Sequence, residues 1–448
     1  MKAPFDLEWI RAQFPALTQE MNGQRVIFFD GPGGTQVPQV VIDAMGDYLV
    51  KSNANFHGAF ATSARTDELI DSARSAIADF LGCDRDEVVF GANMTTLTFA
   101  FSRAIGRQLQ AGDEIIVTRL DHDANVSPWC ALAEERGVII RFVDINVTDC
   151  TLDWSDLERQ INQRTRLIAV GYASNAVGTI NDIAAVVRLA SKVGALVFVD
   201  AVHYAPHGPI DVKALNCDFL ACSAYKFFGP HVGIVYGKRQ HLASFKPYKV
   251  RPASEQVPFC WESGTQNHEG LAGIVAAIDY LAQIARHLQP VEGACAEQAD
   301  TGKQQAFRSS AKQSTSFYPN RRAAIVKVMK AIQKYELSLS QQLICGLAEI
   351  PGLTLYGITQ PERSSWRTPT VAIRLAEHTP FSVAKALGDR GIFTWHGNFY
   401  AINLTERLGV ETNGGLLRIG LVHYNTQQEI QRFLQALHDI AAMSASSI

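Results

Sequence analysis

The 448-residue chain has no Cys-x-x-Cys pair, no run of basic residues and no apolar stretch long enough to span a bilayer. Each absence excludes a class. The 8 cysteines are scattered, with Cys217 and Cys222 the nearest pair, and several lie in apolar contexts such as FLAC. They read as small buried hydrophobes, not as metal ligands or a disulfide framework, and no metal site is expected. A formal net charge of -3 leaves no electrostatic footprint for a nucleic acid or a membrane surface. The opening MKAPFDLEWIRAQFPAL lacks the apolar core of a signal segment and patterns as a short amphipathic helix, so a cytoplasmic protein is expected. No internal repeat is visible. What is present, 47% hydrophobic and 19% charged residues, describes a soluble globular chain with ample core for two or three domains.

From Val26 to about Gly237 apolar runs alternate with amphipathic stretches. The runs are VIFF (26–29), EVVF (87–90), EIIV (114–117), VIIRFV (138–143), RLIAV (166–170), ALVFV (195–199) and DFLAC (218–222). Helical patterns fall at 37–52, 66–81, 95–107 and 183–193. Continuous apolar strands between helices predict an α/β domain with a mostly parallel sheet covered on both faces. After Ala272 comes one apolar helix, then a Gln/Ala/Ser-rich stretch read as a polar insertion. From Arg321 helices and the strands TLYGI, TVAIRL and LLRIGLV predict a second, smaller α+β domain. The expected organisation is an N-terminal helical segment (1–25) packing on the small domain, a large domain (26–288), an insertion (289–320) and a small C-terminal domain (321–448).

Ligands of open α/β sheets bind beyond the carboxyl ends of the strands, so the residues just past each strand are the candidates. Past EVVF, Thr95 and Thr96 fall at a helix start, where free N–H groups favour an anion; plain N-capping is the alternative. Past EIIV stands His122, and past RLIAV stands Asn175 in a polar turn. Asp200 directly follows an apolar run, where a carboxylate is costly unless it meets a cation, and His203 is three residues on. Past DFLAC come Ser223, Tyr225 and Lys226. Buried lysines lose basicity and serve as Schiff-base formers. Each residue has an ordinary structural reading by itself. Together they supply a phosphate site, a stacking ring, a carboxylate and an amine, the set that pyridoxal phosphate (PLP) requires.

The motifs FFDGPGGTQVP, GDEIIVTRLDHDANVSPW, SNAVGTI, FVDAVHYAPHGPIDV, DFLACSAYKFFGPHVGIVYG, WESGTQNHEG and RIGLVHYNT resemble the class V aminotransferase family, in its cysteine-desulfurase-like branch. The resemblance runs from about Val26 to Leu437. It implies the fold of PLP-dependent transferases of type I, with a mostly parallel seven-stranded sheet in the large domain, and pyridoxal 5'-phosphate as cofactor. By motif, Lys226 would hold the cofactor as a Schiff base and move protons, Asp200 would face its pyridine nitrogen and His122 would stack on its ring. Asn175 and His203 would lie near its phenolic oxygen, and Thr95, Thr96, Ser223 and Tyr225 would cup the phosphate. Thr265, in ESGTQN, would reach the phosphate of a neighbouring subunit, which implies a homodimer with shared active sites. Arg418 would clamp the substrate α-carboxylate.

The chain departs from that branch in one segment. Desulfurases carry a catalytic cysteine in a segment resembling R-x-G-H-H-C-A. The matching residues here are WHGNFYA (395–401), with Tyr400 at the cysteine's position and Trp395 at the arginine's, and no cysteine follows Cys345. A phenol cannot accept sulfane sulfur as a thiolate does. His203 and Tyr225 also differ from the desulfurase pattern and are similar to the kynureninase branch. The expected activity is therefore cleavage of a bond at Cβ of an amino acid, of the C–S lyase type, without an enzyme persulfide. The alternatives are an aminotransferase, an epimerase with Tyr400 as second-face acid, or a non-catalytic PLP scaffold. Trp395, His396, Asn398, Phe399 and Tyr400 are expected to line the side-chain pocket, with Tyr400 also readable as a packing aromatic. Arg367 is expected at the surface unless it faces the site.

Overall fold

The computed structural model describes residues 3–289 and 320–443. The polar insertion read from the sequence lies almost wholly outside the described residues. Along the chain, helix α1 (Leu7–Ala12) is followed by the short strand β1 (Ile27–Phe28) and helices α2 (Gln39–Lys51) and α3 (Ala61–Leu81). Strand β2 (Val88–Gly91) leads into α4 (Met94–Gly106), then β3 (Glu114–Thr118), α5 (Ser127–Arg136) and β4 (Ile139–Val143). Strand β5 (Thr165–Gly171), α6 (Ile183–Ser191), β6 (Leu196–Asp200), β7 (Phe219–Ser223) and β8 (Gly233–Gly237) complete the alternation, and α7 (His268–Ile284) closes it.

Seven strands form one sheet in the order β2-β8-β7-β6-β5-β3-β4. Only β8 runs against the others. Every residue of β7 and β8 is buried. This is why these strands are continuous apolar runs: a parallel sheet buried on both faces has no polar side to present. Two apolar cores follow from this. One holds Phe101, Trp129, Phe198 and Phe219, and the other holds Phe80, Phe90, Phe227 and Phe228.

The second unit starts with the long α8 (Arg321–Ala348). It continues with β9 (Leu353–Tyr356), β10 (Thr370–Leu375), α9 (Pro380–Gly388), β11 (Ile392–Phe393), β12 (Trp395–Gly397), β13 (Leu416–Gly420) and α10 (Gln427–Ala441). Its sheet is antiparallel, in the order β9-β10-β13-β12. The VIFF run does not join the large sheet. Ile27 and Phe28 pair in parallel with Ile392 and Phe393, and β8 supplies the seventh large-sheet strand. A two-residue strand carries little register information of its own, so a partner 365 residues away decides its place. The N-terminal segment lies across both units. Arg11 Nη1 donates to the Tyr424 carbonyl at 2.6 Å and meets Glu429 at 2.8 Å, while the Phe14 ring packs edge-on against Tyr280 and Tyr424.

Candidate active site

The carboxyl ends of β2, β3, β5, β6 and β7 open onto one cavity of about 440 Å³, closed on its far side by the β12 segment and Arg418. It brings together Thr95, His122, Asn175, Asp200, His203, Ser223, Tyr225, Lys226, Asn398, Tyr400 and Arg418. Thr96 and Thr265 do not line it.

Helix α4 starts one residue earlier than the sequence suggests. Asn93 is its N-cap and accepts from the Thr96 amide at 2.9 Å. The Thr96 hydroxyl turns back to the Asn93 carbonyl, also at 2.9 Å, so Thr96 belongs to the cap and not to the cavity. Asn93 and Thr95 face the cavity with the first free amides of the helix, the usual seat of a phosphate. Gly233 makes this possible: a Cβ there would lie 2.3 Å from the Asn93 carbonyl carbon.

Lys226 sits one tight turn past β7 and is 9% exposed. Its Nζ donates to the Pro32 carbonyl and lies 4.7 Å from the Tyr225 ring centroid. Burial, helped by the nearby Arg418 cation and opposed by Asp200, lowers its pKa to about 7. An amine of that kind is half unprotonated at neutrality. Asp200 Oδ1 accepts from the Val202 amide at 2.9 Å, and burial pushes the carboxyl up to about 6 against that bond and Lys226. Asp121, beside His122, holds the Thr118 hydroxyl at 2.8 Å and is raised to about 8, chiefly by burial. The His122 Nδ1 accepts from the Ala124 amide at 3.0 Å, and burial holds the ring's pKa down to about 4, so a neutral imidazole with its proton on Nε2 lines the cavity.

The far wall is aromatic. The Arg418 guanidinium, 4% exposed, lies 4.2 Å from the Phe399 ring centroid and donates to the Asn175 carbonyl at 2.9 Å. Its Nε is buried and unpartnered, as is Asn175 Oδ1. Asn175 Nδ2 donates to the Phe399 carbonyl at 2.8 Å. Tyr400 is 72% exposed, and its ring stacks on His122 at 5.4 Å with 20° between planes. Its carbonyl accepts from the Asp123 amide at 2.7 Å. Both Phe399 and Tyr400 are left-handed, with φ of +56° and +58°. Asn398 steadies them, accepting from the Tyr400 amide at 3.1 Å while Nδ2 donates to Glu411 at 2.9 Å.

One expectation needs correction. Arg367 is neither a surface residue nor part of this cavity. It is buried, and its guanidinium donates to the carbonyls of Ile358 and Thr370, the second at 2.6 Å, a structural use that a fork of fixed donors suits. The Tyr225 ring stacks on His231 at 4.9 Å, and its carbonyl accepts from the Thr35 amide at 3.1 Å. Sequence reasoning missed Asn93, Asp121 and the Pro32 carbonyl. The first two carry a signal, a capping residue before an apolar helix and an acid next to His122; the third does not.

The donor set fits one kind of ligand. A buried amine of low basicity, a carboxylate lacking a cation, a helix start and an unsatisfied arginine suit a molecule with an aldehyde, a basic ring nitrogen and a phosphate, joined by an amino acid. The family profile for aminotransferase class-V matches residues 27–305 and 323–433. The chain belongs to the class V aminotransferase family. A cysteine desulfurase of Pectobacterium atrosepticum is 30% identical over 99% of this chain and 100% of its own length. The apo cysteine desulfurase of Thermococcus onnurineus superposes with a TM-score of 0.81 at 26% identity, covering 100% of this chain and 99% of that one. An Escherichia coli cysteine desulfurase gives 0.78 at 26% identity over 98% of both chains. The chain is accordingly a PLP-dependent enzyme of fold type I.

Proposed function

We propose that this enzyme cleaves a bond at Cβ of an amino acid, in the manner of a C–S lyase, and carries no sulfur on its own chain. The observation that carries this reading is position 400. Where the resemblance puts a sulfur-accepting thiol, a tyrosine stacks on His122, and no cysteine among the described residues lines the cavity. Of those cysteines, Cys222 is the one next to the site in sequence, and it is fully buried with its thiol pKa pushed up by burial. Cys295 lies outside the described residues.

Lys226 would hold the cofactor's aldehyde carbon, Asp200 its pyridine nitrogen, His122 its ring face, and Asn93, Thr95 and Ser223 its phosphate. Bound there, pyridoxal phosphate supplies an electron sink that makes the Cα–H bond of a captured amino acid acidic. Arg418 takes the α-carboxylate, using the Nε that has no protein partner. Lys226, its pKa near 7, would be the base for the Cα proton of the bound amino acid. The aromatic segment 395–400 closes over the side chain and offers it no fixed charge, which favours a small neutral or aromatic substrate.

The reading includes a homodimer. Thr265 is exposed and stands outside this chain's own cavity, as a residue serving a partner subunit's phosphate would. A neighbouring opening lined by Thr35, Ile42, His231 and Asn267 shares Tyr225 with the main cavity and offers a place for a partner's loop.

The test is incubation of the PLP-loaded enzyme with L-cysteine and other thio-amino acids. The expected products are sulfide, ammonia and a keto acid, with the protein mass unchanged. Tyr400→Cys should then divert sulfur from L-cysteine onto the protein and release alanine. Alanine plus a protein-bound persulfide from the unmutated enzyme would refute the reading, as would the absence of keto acid from every thio-amino acid offered.

A further inference from the structure

Behind the cofactor pocket lies a second cavity of about 250 Å³, lined by His207, Gln333, Glu336 and Thr368, with the exposed Lys330 and Lys334 at its rim. His203 lines the first space and Thr368 the second, and the two side chains are hydrogen-bonded to each other. The His203 ring lines the main cavity, and its Nε2 lies 3.1 Å from Thr368 Oγ1 and 3.0 Å from Thr370 Oγ1. Thr368 lines the second cavity; Thr370 does not. Behind His203, the His207 ring stands 5.2 Å away, and its Nδ1 donates to Glu336 at 2.8 Å. The side chains of His203, His207, Glu336, Thr368 and Thr370 are buried.

We propose that His203 and the Thr368 hydroxyl form a proton passage from the cofactor pocket to solvent by way of the second cavity. The proposal rests on the PLP reading of the main cavity. The chemistry calls for such a route. A proton taken from Cα by Lys226 has to equilibrate with water, and Phe399 and Tyr400 cover one side of the cavity, over Arg418 and His122. Burial keeps His203 uncharged, so the ring relays by exchanging tautomers and stores no cation. A proton arrives at Nδ1, the proton on Nε2 passes to Thr368 Oγ1, and the hydroxyl proton, held at rest by the Gly178 carbonyl at 3.3 Å, swings to a water in the second cavity. One proton enters and one leaves; no bond between heavy atoms changes and nothing is oxidised or reduced. The Glu336–His207 pair fixes the rear wall, and Thr370 holds His203 in register without reaching the exit.

The two threonines make the test. Both position His203, and only Thr368 opens to the second cavity. PLP-loaded protein labelled with [15N]histidine would be examined by NMR for solvent exchange of the His203 ring N–H, assigned with His203→Gln. Thr368→Val should slow that exchange by about a hundredfold, the lower end of the range for a lost proton-transfer group. Thr370→Val should leave it near the wild-type rate, and Thr368→Ser should restore it. With α-deuterated L-alanine and L-cysteine in ordinary water, Thr368→Val should return more label to Cα and wash out less, whereas Thr370→Val should not. Equal effects of the two valine variants, with the visible cofactor band intact in both, would show a positioning role only and overturn the passage. A wild-type protein that binds no PLP would overturn the cofactor reading beneath it, which is a separate and separately visible failure. If Thr368→Val does not fold, Thr368→Ala against Thr370→Ala makes the same comparison.

Discussion

An amine that sheds its proton near pH 7 is a different reagent from one that does so near 10.5. Lys226 is of the first kind because burial, and Arg418 close by, penalise its ammonium form. In the cofactor-free protein, between about 7 and 10.5, the unfolded chain binds a proton that the folded chain does not. Stability therefore rises with pH across that window, by at most about 1.4 kcal/mol per unit. Asp200 and Asp121 act oppositely and at lower pH: their raised values mean the folded chain holds protons that the unfolded chain has lost, so their contribution falls as pH climbs from about 4 toward 8. Urea unfolding of apoprotein from pH 7 to 10 should show the rise, and Lys226→Met should flatten it. A slope unchanged by Lys226→Met would mean that the amine titrates normally. The rate of PLP uptake by apoprotein should rise through the same pH range in the wild type.

At the scale of elements, the site depends on how close α4 comes to β8. The close approach is backbone against backbone, at Gly233 and Asn93. Gly233→Ala cannot be relieved by moving a side chain. It should lower stability by about 1–3 kcal/mol and weaken PLP binding together, readable as a melting shift and a loss of visible absorbance. Asn93→Ala, which removes the capping side chain but keeps the backbone amide at the cavity, should cost about 1 kcal/mol. The alternation of strands and helices was legible because buried parallel strands have no polar face. The strand-end candidates were legible because such sheets bind ligands at one edge. Thr95, His122, Asn175, Asp200, His203, Ser223, Tyr225, Lys226 and Arg418 all reach the cavity. What stayed hidden depends on pairings distant in sequence. The VIFF run could not announce that its partner is Ile392–Phe393, and nothing near His203 announces Thr368, 165 residues further on. Arg367 looked like a surface residue because its partners are carbonyls, which leave no mark in a sequence.

At the scale of the molecule, a single chain leaves apolar side chains of α2 uncovered: Val40, Ile42, Leu49 and Val50 are all exposed. Ile42 also borders the opening that shares Tyr225 with the main cavity. The proposed homodimer would bury this face. Ile42→Glu should yield monomers in analytical ultracentrifugation and weaken PLP binding by about tenfold, since a hydrogen bond to a charged phosphate is worth roughly 1.5 kcal/mol. A wild-type protein that sediments as a monomer while binding PLP normally would remove the shared-site reading. Among the described residues no helix is long and apolar enough to cross a membrane.

Phe399 and Tyr400 hold left-handed backbone that costs side-chain-bearing residues about 1–2 kcal/mol each. That cost is offset only while Asn175 and Asp123 bond the two carbonyls and the two rings rest on Arg418 and His122. A carboxylate arriving at Arg418 competes with the Phe399 ring for the guanidinium. The strain and the contacts thus form one balance: a variant that removes either ring leaves the dihedral cost unopposed on that side, whereas glycine at either position would hold the same turn without that cost.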